Sequence, residues 1–224
     1  MSGSLYIVAT PIGNLDDITK RAISILEKVD LIAAEDTRHS RKLLNHLGIN
    51  NNIIAYFEHN EEKLTSNLIE KLIGGMSIAL ISDAGTPLIS DPGHKLVSAA
   101  YNADISVIPI PGPSSVIAAL STSGLPCIKF VFEGYLPPKE IARRKYLKTL
   151  ILEQRTLIFY ETPHRILASI EDMHTIFGGQ RHVTIARELT KKHEQITRDN
   201  LSNIKSKIET SEIKNKGEFV IVLE

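Results

Sequence analysis

A single cysteine, Cys127, stands among the 224 residues, so no intrachain disulfide can brace the fold, and a reducing compartment suits the chain. No apolar run approaches the roughly 20 residues needed to cross a bilayer. The opening MSGSLYIVATP places no basic segment ahead of a long apolar core; no signal peptide is expected and the cytoplasm is the simplest location. Charge of one sign is missing too. Lys plus Arg and Asp plus Glu number 26 each, which leaves no global field to draw the chain to nucleic acid or membrane, although a local patch would suffice for RNA. Familiar cradles are absent: there is no G-x-G-x-x-G after the first apolar run, no P-loop and no G-x-S-x-G elbow. The eight histidines are scattered without ligand spacing, so a built-in metal site is not expected.

What remains is an ordinary soluble composition, 42% hydrophobic and 23% charged, long enough for one large or two small domains. Short β-branched runs at 5–9, 30–34, 53–56, 77–82 and 105–110 alternate with helical patterns, and several are apolar on both faces, as covered parallel strands should be. Between the first two, Ile18, Ala22, Ile25, Leu26 and Val29 fall on one helical face, with Asp16 or Asp17 placed to cap it. A second helix is expected from about Asp36 to Leu47 with Gly48 as its stop, and a third with Asp91 as N-cap and Pro92 at its first position. Strand candidates then follow at wider spacing, at 128–134, 156–161, 182–186 and 218–223. The pattern predicts two α/β domains, 1–112 with a mainly parallel sheet and 113–224 with a mixed one, joined near Pro111–Gly112–Pro113.

Four groups of residues carry candidate chemistry. ATPIGNLDD (9–17) reads as a βα turn in which Gly13 permits close backbone approach. ISDAGTPLISDPG (81–93) has more special residues than a turn needs; Asp83, Gly85 and Thr86 are not required for capping and lie where open α/β sheets bind ligands. In PGPSSV (111–116), Ser114 and Ser115 stand at a helix start with free N–H groups. EDTRHSRK (35–42), FYETPHR (159–165) and ARELTKKHE (186–194) place acids beside cations after apolar runs; such side chains can grip phosphates, take up a proton, or simply pair with one another.

Taken in order, ATPIGNLDDIT, AEDTRHSRKLL, ISDAGTPLISDPG, PGPSSVIAALSTSGLP, FEGYLPPK, YETPHRI, ARELTKKHE and GEFVIVL resemble the bacterial small-subunit ribosomal RNA (cytidine-2′-O)-methyltransferases of the tetrapyrrole methylase superfamily, over nearly the whole chain. The resemblance implies S-adenosyl-L-methionine held in a cleft between two α/β domains, a homodimer, and methylation of a cytidine ribose in the decoding region of 16S ribosomal RNA in the small subunit. It implies cofactor contacts at Pro11, Ile12 and Gly13, at Asp83, Ala84, Gly85, Thr86 and Ile89, and at Ser114 and Ser115, with Tyr160, Ala186 and Leu189 as further additions. For the base that accepts the hydroxyl proton, Glu161 and His164 come first, then Glu35 and Asp36. For the RNA, the candidates are Arg38, His39, Arg165, Arg187 and Lys191, together with Arg143, Arg144 and Lys145 of the basic stretch 139–148. Two rival readings use the same fold: a methyltransferase acting on a precorrin-like tetrapyrrole or a protein side chain, and a non-catalytic module that only binds the cofactor.

Overall fold

The computed structural model describes residues 2–224 and resolves into two compact units, one ending at Ser114 and the other running from Ser115 to Glu224. In the first unit the order is β1 (Ser4–Val8), α1 (Lys20–Lys28), β2 (Leu31–Ala34), α2 (Thr37–His46), β3 (Ile53–Ala55), α3 (Glu61–Ile73), β4 (Ile78–Ile81), α4 (His94–Asn102) and β5 (Ser106–Ile110). Its five strands lie in the order β3-β2-β4-β1-β5, all parallel. The pleat decides which core each residue enters. Leu31, Ala33, Ile78 and Leu80 join Leu68, Leu72 and Leu96 of α3 and α4. Ile32, Ala34, Ala79 and Ile81 face Ala22, Leu26 and Leu44 of α1 and α2 on the other side. Central strands buried on both faces need apolar residues at every position, which is why LIAA and IALI show no alternation.

The second unit runs α5 (Ser115–Thr122), β6 (Phe130–Tyr135), α6 (Glu140–Thr149), β7 (Thr156–Glu161), α7 (Ile166–Phe177), β8 (His182–Arg187), β9 (Gln195–Asn200), α8 (Leu201–Glu209) and β10 (Phe219–Leu223). Its sheet order is β6-β7-β10-β8-β9, with only the β6–β7 pair parallel, so the expected mixed sheet is present. A single core joins Phe159, Ile170, Met173, Ile185, Ile204, Phe219 and Ile221. Each such side chain contributes about 1.5–3 kcal/mol by leaving water.

Two helix starts differ from the sequence expectation. Asp16 and Asp17 lie in a short 3-10 turn, and α1 is capped by Thr19, whose hydroxyl accepts from the Ala22 N–H at 3.1 Å. Neither Asp91 nor Pro92 starts α4; the helix begins after Gly93, which has φ +135°. Strand β9 was not expected at all. Its residues are polar or exposed, and its pairing with β8 is written in the backbone. No helix among the described residues is long and apolar enough to cross a membrane.

Candidate active site at the strand ends of the first unit

Strands β1 and β4 are neighbours, yet the chain leaves them in opposite directions. From β1 it crosses toward β2, and from β4 it crosses over β1 to reach β5. In an open α/β sheet the loops part at such a switch point and leave a crevice beyond the carboxyl ends of the strands. Here the loops are stitched at their base. The Thr10 N–H donates to the Gly85 carbonyl at 2.9 Å, the Gly85 N–H returns to the Thr10 carbonyl at 3.0 Å, and the Thr10 hydroxyl donates to the Ser82 carbonyl at 3.3 Å. Gly85 has φ +83°, and a Cβ there would sit 3.4 Å from Ile12 Cγ2 in a conformation L residues avoid. The Thr86 hydroxyl donates to the Pro113 carbonyl at 3.1 Å. Of the predicted cofactor residues, Ile12, Gly85 and Thr86 are thus drawn together with the Pro113–Ser114 end of the unit.

The remainder of the 81–93 loop is strained. Leu88 and Ser90 adopt φ +73° and +66° without being glycine, a conformation that costs about 1–2 kcal/mol per residue. Such strain persists where the surroundings over-determine it. One of those surroundings is Glu61 at the start of α3, a buried carboxylate that accepts the Gly93 N–H at 2.7 Å. It anchors the N-cap residue Gly93, while the first turn of α4 has no side-chain cap in place of the one expected of Asp91. Sequence reasoning missed Glu61 because FEHNEEK reads as a solvated charge run. Nothing local reveals that one of its acids turns inward.

Asp91 instead joins an acidic group with Glu35 and Asp83. The Asp83 carboxylate accepts from the Asp36 N–H at 3.0 Å and so ties the end of β4 to the end of β2. Burial pushes the Glu35 carboxyl above its usual range, and the negative charges of Asp91 and Asp83 push it further. Burial likewise raises Asp91, with a smaller push from Asp83. Among the described residues, none of Glu35, Asp83 or Asp91 has an ion-pair partner. Carboxylates held together without a cation suit a positively charged ligand, and S-adenosyl-L-methionine carries a sulfonium and an ammonium. Nearby, Gly13 and Ala84 are exposed, while Gly85 is buried with its side-chain-free face toward Ile12 and the Pro113 carbonyl. Pro11 is buried, and Ile89 is exposed.

Asp36 has a different part. Its side chain caps α2 by accepting from the Arg38 N–H at 2.8 Å, and both its oxygens are held by the Arg38 guanidinium, at 3.2 and 2.8 Å. That guanidinium holds the Asp36 carboxyl well below the usual carboxylate range, which makes it a poor proton acceptor. His39 is exposed one residue on.

In the second unit, several expected site residues prove to be braces. The Glu161 side chain is fully buried. One oxygen accepts from the Thr162 N–H at 2.7 Å and pairs with Arg165 at 3.1 Å, and the other accepts from the Ser169 hydroxyl at 2.6 Å. A carboxylate with both oxygens engaged and no solvent access cannot serve as the base first assigned to it. Arg165 also bonds the Thr162 hydroxyl and the Leu136 carbonyl, closing the start of α7. Arg143 is buried against Asp172 at 2.6 Å, and Arg144 reaches the other Asp172 oxygen at 2.5 Å. Arg187 is buried and donates to the carbonyls of Lys216 and His193. Lys191 lies between Glu188 and Glu218 at 3.0 and 2.7 Å. These five cations brace helices and loops; the expected RNA role is corrected for the buried Arg143 and Arg187, and Arg144, Arg165 and Lys191 keep only part of their side chains accessible. Lys145 and His164 are exposed. Ser115 and Tyr160 share a hydrogen bond of 2.8 Å, with the Tyr160 ring against Phe132 and Tyr135, while Ala186 and Leu189 are buried on and after β8.

Comparison with known proteins accords with this architecture. The model of the family Tetrapyrrole (Corrin/Porphyrin) Methylases matches residues 4–205. The chain is 54% identical to the Ribosomal RNA small subunit methyltransferase I of Xylella fastidiosa (strain Temecula1), over 99% of this chain and 81% of that protein. It is 51% identical to the protein of the same name from Escherichia coli O157:H7, over 99% of this chain and 78% of that one. Among solved structures, uroporphyrin-III-C-methyltransferase from Thermus thermophilus superposes with a TM-score of 0.68 over 98% of this chain and 94% of its own, at 19% identity, a likeness of fold. The chain belongs to the tetrapyrrole methylase family and, within it, to the group of ribosomal RNA small subunit methyltransferase I proteins.

Proposed function

We propose that this protein transfers a methyl group from S-adenosyl-L-methionine to the 2′-hydroxyl of a cytidine ribose in the decoding region of small-subunit (16S) ribosomal RNA, with Glu35 as the base. The observation that carries the reading is the cation-free group of Glu35, Asp83 and Asp91 at the carboxyl ends of β2 and β4, where the Asp83 carboxylate holds the Asp36 N–H and Glu35 is pushed above its usual pKa. Pro11, Ile12, Gly13, Asp83, Ala84, Gly85, Thr86 and Ile89 are its proposed cofactor residues, joined by Ser114. Ser115, Tyr160, Ala186 and Leu189 are proposed as cofactor residues on the strength of family resemblance. A homodimer, a cytoplasmic location and chemistry without a metal are part of the same proposal.

When bound, the sulfonium supplies a methyl carbon already activated for displacement. The chain's task is alignment and proton uptake. The Thr10–Gly85 stitch and the Glu61–Gly93 hydrogen bond fix the two loops, and holding hydroxyl and methyl in line lowers a barrier by roughly 7–11 kcal/mol. With the cofactor bound, a Glu35 oxygen would accept the ribose hydroxyl proton, the cofactor supplying both the methyl carbon and the leaving sulfur. A raised carboxyl pKa brings that acceptor closer to the operating pH, and a base of this kind contributes about 10²–10⁴-fold.

The test is transfer of labelled methyl from S-adenosyl-L-methionine to small ribosomal subunits that lack 2′-O-methylation, run beside a precorrin-like tetrapyrrole. Label on RNA and none on tetrapyrrole is expected. Label on tetrapyrrole alone would replace this reading with the rival one, and cofactor binding without transfer to any acceptor would favour the binding module.

A further inference from the structure

Helix α2 has two faces of opposite character. Ser40, Leu43 and Leu44 are buried on one. Arg38, Arg41, Lys42 and Asn45 recur at the i, i+3, i+4, i+7 spacing of a single stripe on the other, all exposed, with His39 and His46 beside them. The helix has no Asp or Glu between Thr37 and His46. Arg38 folds back on Asp36, but among the described residues Arg41 and Lys42 make no hydrogen bond or ion pair.

Exposed cations also stand on α1 (Lys20, Arg21 and Lys28) and α6 (Lys145 and Lys148), but each of those helices carries a Glu that α2 lacks. On α6 the two arginines close on Asp172, and on α8 Lys205 and Lys207 meet Glu171, Glu209, Asp199 and Glu212. In a chain of zero net charge, a stripe of uncompensated cations is a local field. Beside it lies an open groove of about 580 Å³ lined by Arg41, Asn50, Asn51, Asn52, Ile53 and Ile54. Asn51 is committed to the Leu26 and Val29 carbonyls at 2.9 and 2.7 Å, whereas Asn50 and Asn52 are exposed. Carboxamides that offer both donor and acceptor suit the edges of unstacked bases, and guanidinium and ammonium groups suit phosphodiesters. Glu35 stands two residues before the first residue of α2.

We infer that the exposed face of α2 and the adjoining Asn50–Asn52 groove form the docking surface for a single-stranded segment of the RNA. Its phosphodiesters lie on Arg41 and Lys42, its bases reach Asn50 and Asn52, and the strand is thereby led toward Glu35. The inference rests on the proposed function for the identity of the RNA.

The experiment measures equilibrium binding of the full chain to small ribosomal subunits across a salt series, for the wild type, R41Q/K42Q and the single reversal Arg41→Glu. Lys28→Gln, an exposed cation on α1, serves as control. Losing two phosphate contacts on a single strand flattens the slope of log affinity against log salt by about 1.4 and weakens binding by roughly 10- to 30-fold near 0.1 M salt. Cofactor affinity, measured by calorimetry, should stay within about twofold, as should binding by Lys28→Gln. Unchanged affinity and slope in both α2 variants would overturn the surface. Binding is read apart from transfer, so wild-type binding without methylation would sink the proposed function and leave the docking surface to be judged on its own slopes. Failure of the wild type to bind subunits would overturn both.

Discussion

Arg143 and Asp172 show how far the meaning of a charged residue depends on where the chain takes it. Both are buried, 2.6 Å apart, and neither has water to fall back on. Removing one partner of an isolated buried pair costs about 3–5 kcal/mol, but Asp172 also holds Arg144 at 2.5 Å, so the loss of Arg143 leaves it one oxygen short and not alone. Arg143→Ala should therefore lower the unfolding free energy by about 1–3 kcal/mol in urea titrations, the cost of a buried acceptor left unsatisfied, while Lys145→Ala on the exposed side should change it by less than about 0.5 kcal/mol. Equal effects would return Arg143 to the surface role its sequence suggested. Glu35 makes the opposite case. Burial and neighbouring acids raise its carboxyl above the ordinary 4.5, so the folded chain keeps that proton to higher pH than the unfolded one. Its ionisation then weighs against the folded state: the loss is absent below the unfolded value and grows as pH rises through the folded one. Glu35→Gln should gain stability over the wild type as pH is raised from about 4 to about 8. A difference that stays flat across that range would mean Glu35 is not held as described.

At the scale of elements, the loop at 83–93 is the decisive piece, and its shape is imposed from outside its own sequence. Glu61→Ala removes the acceptor that holds the Gly93 N–H, so Leu88 and Ser90 can relax from their left-handed conformations. We expect the cofactor KM to rise about tenfold with kcat changed far less, and Glu61→Gln, which keeps an acceptor oxygen, to restore most of it. Equal losses in kcat for both variants would point to a different role. Gly85→Val forces a branched side chain into φ +83° against Ile12 and should abolish cofactor binding in calorimetry; unaltered affinity would remove the loop from the site. The elements themselves were largely legible. Strands such as LIAA and IALI announce themselves by continuous apolarity, and Asp36 and Gly48 mark the limits of α2 as the spacing predicts. Strand β9 stayed hidden because an edge strand held by backbone bonds to β8 needs no apolar pattern. Whether Glu61, Glu161 or Arg187 points inward was equally hidden, since that depends on partners distant in sequence.

For the whole molecule, net neutrality hides an uneven distribution of free and paired cations. Most cations of the second unit described above are tied to carboxylates or carbonyls, whereas Arg41 and Lys42 remain free on α2, close in sequence to the carboxylate that would take the proton. The proposed cofactor residues at 11–13 and 83–89 and the proposed base all follow strands of one parallel sheet, β1, β4 and β2. The central claim is tested most directly by single-turnover transfer of labelled methyl to unmethylated small subunits, with the modified ribose mapped for wild type and Glu35→Gln. The account predicts label on the 2′-oxygen of one decoding-region cytidine, and a rate lowered about 10²–10⁴-fold in the variant with cofactor affinity within about tenfold. Wild-type label elsewhere, or a variant that turns over at the wild-type rate, would contradict it.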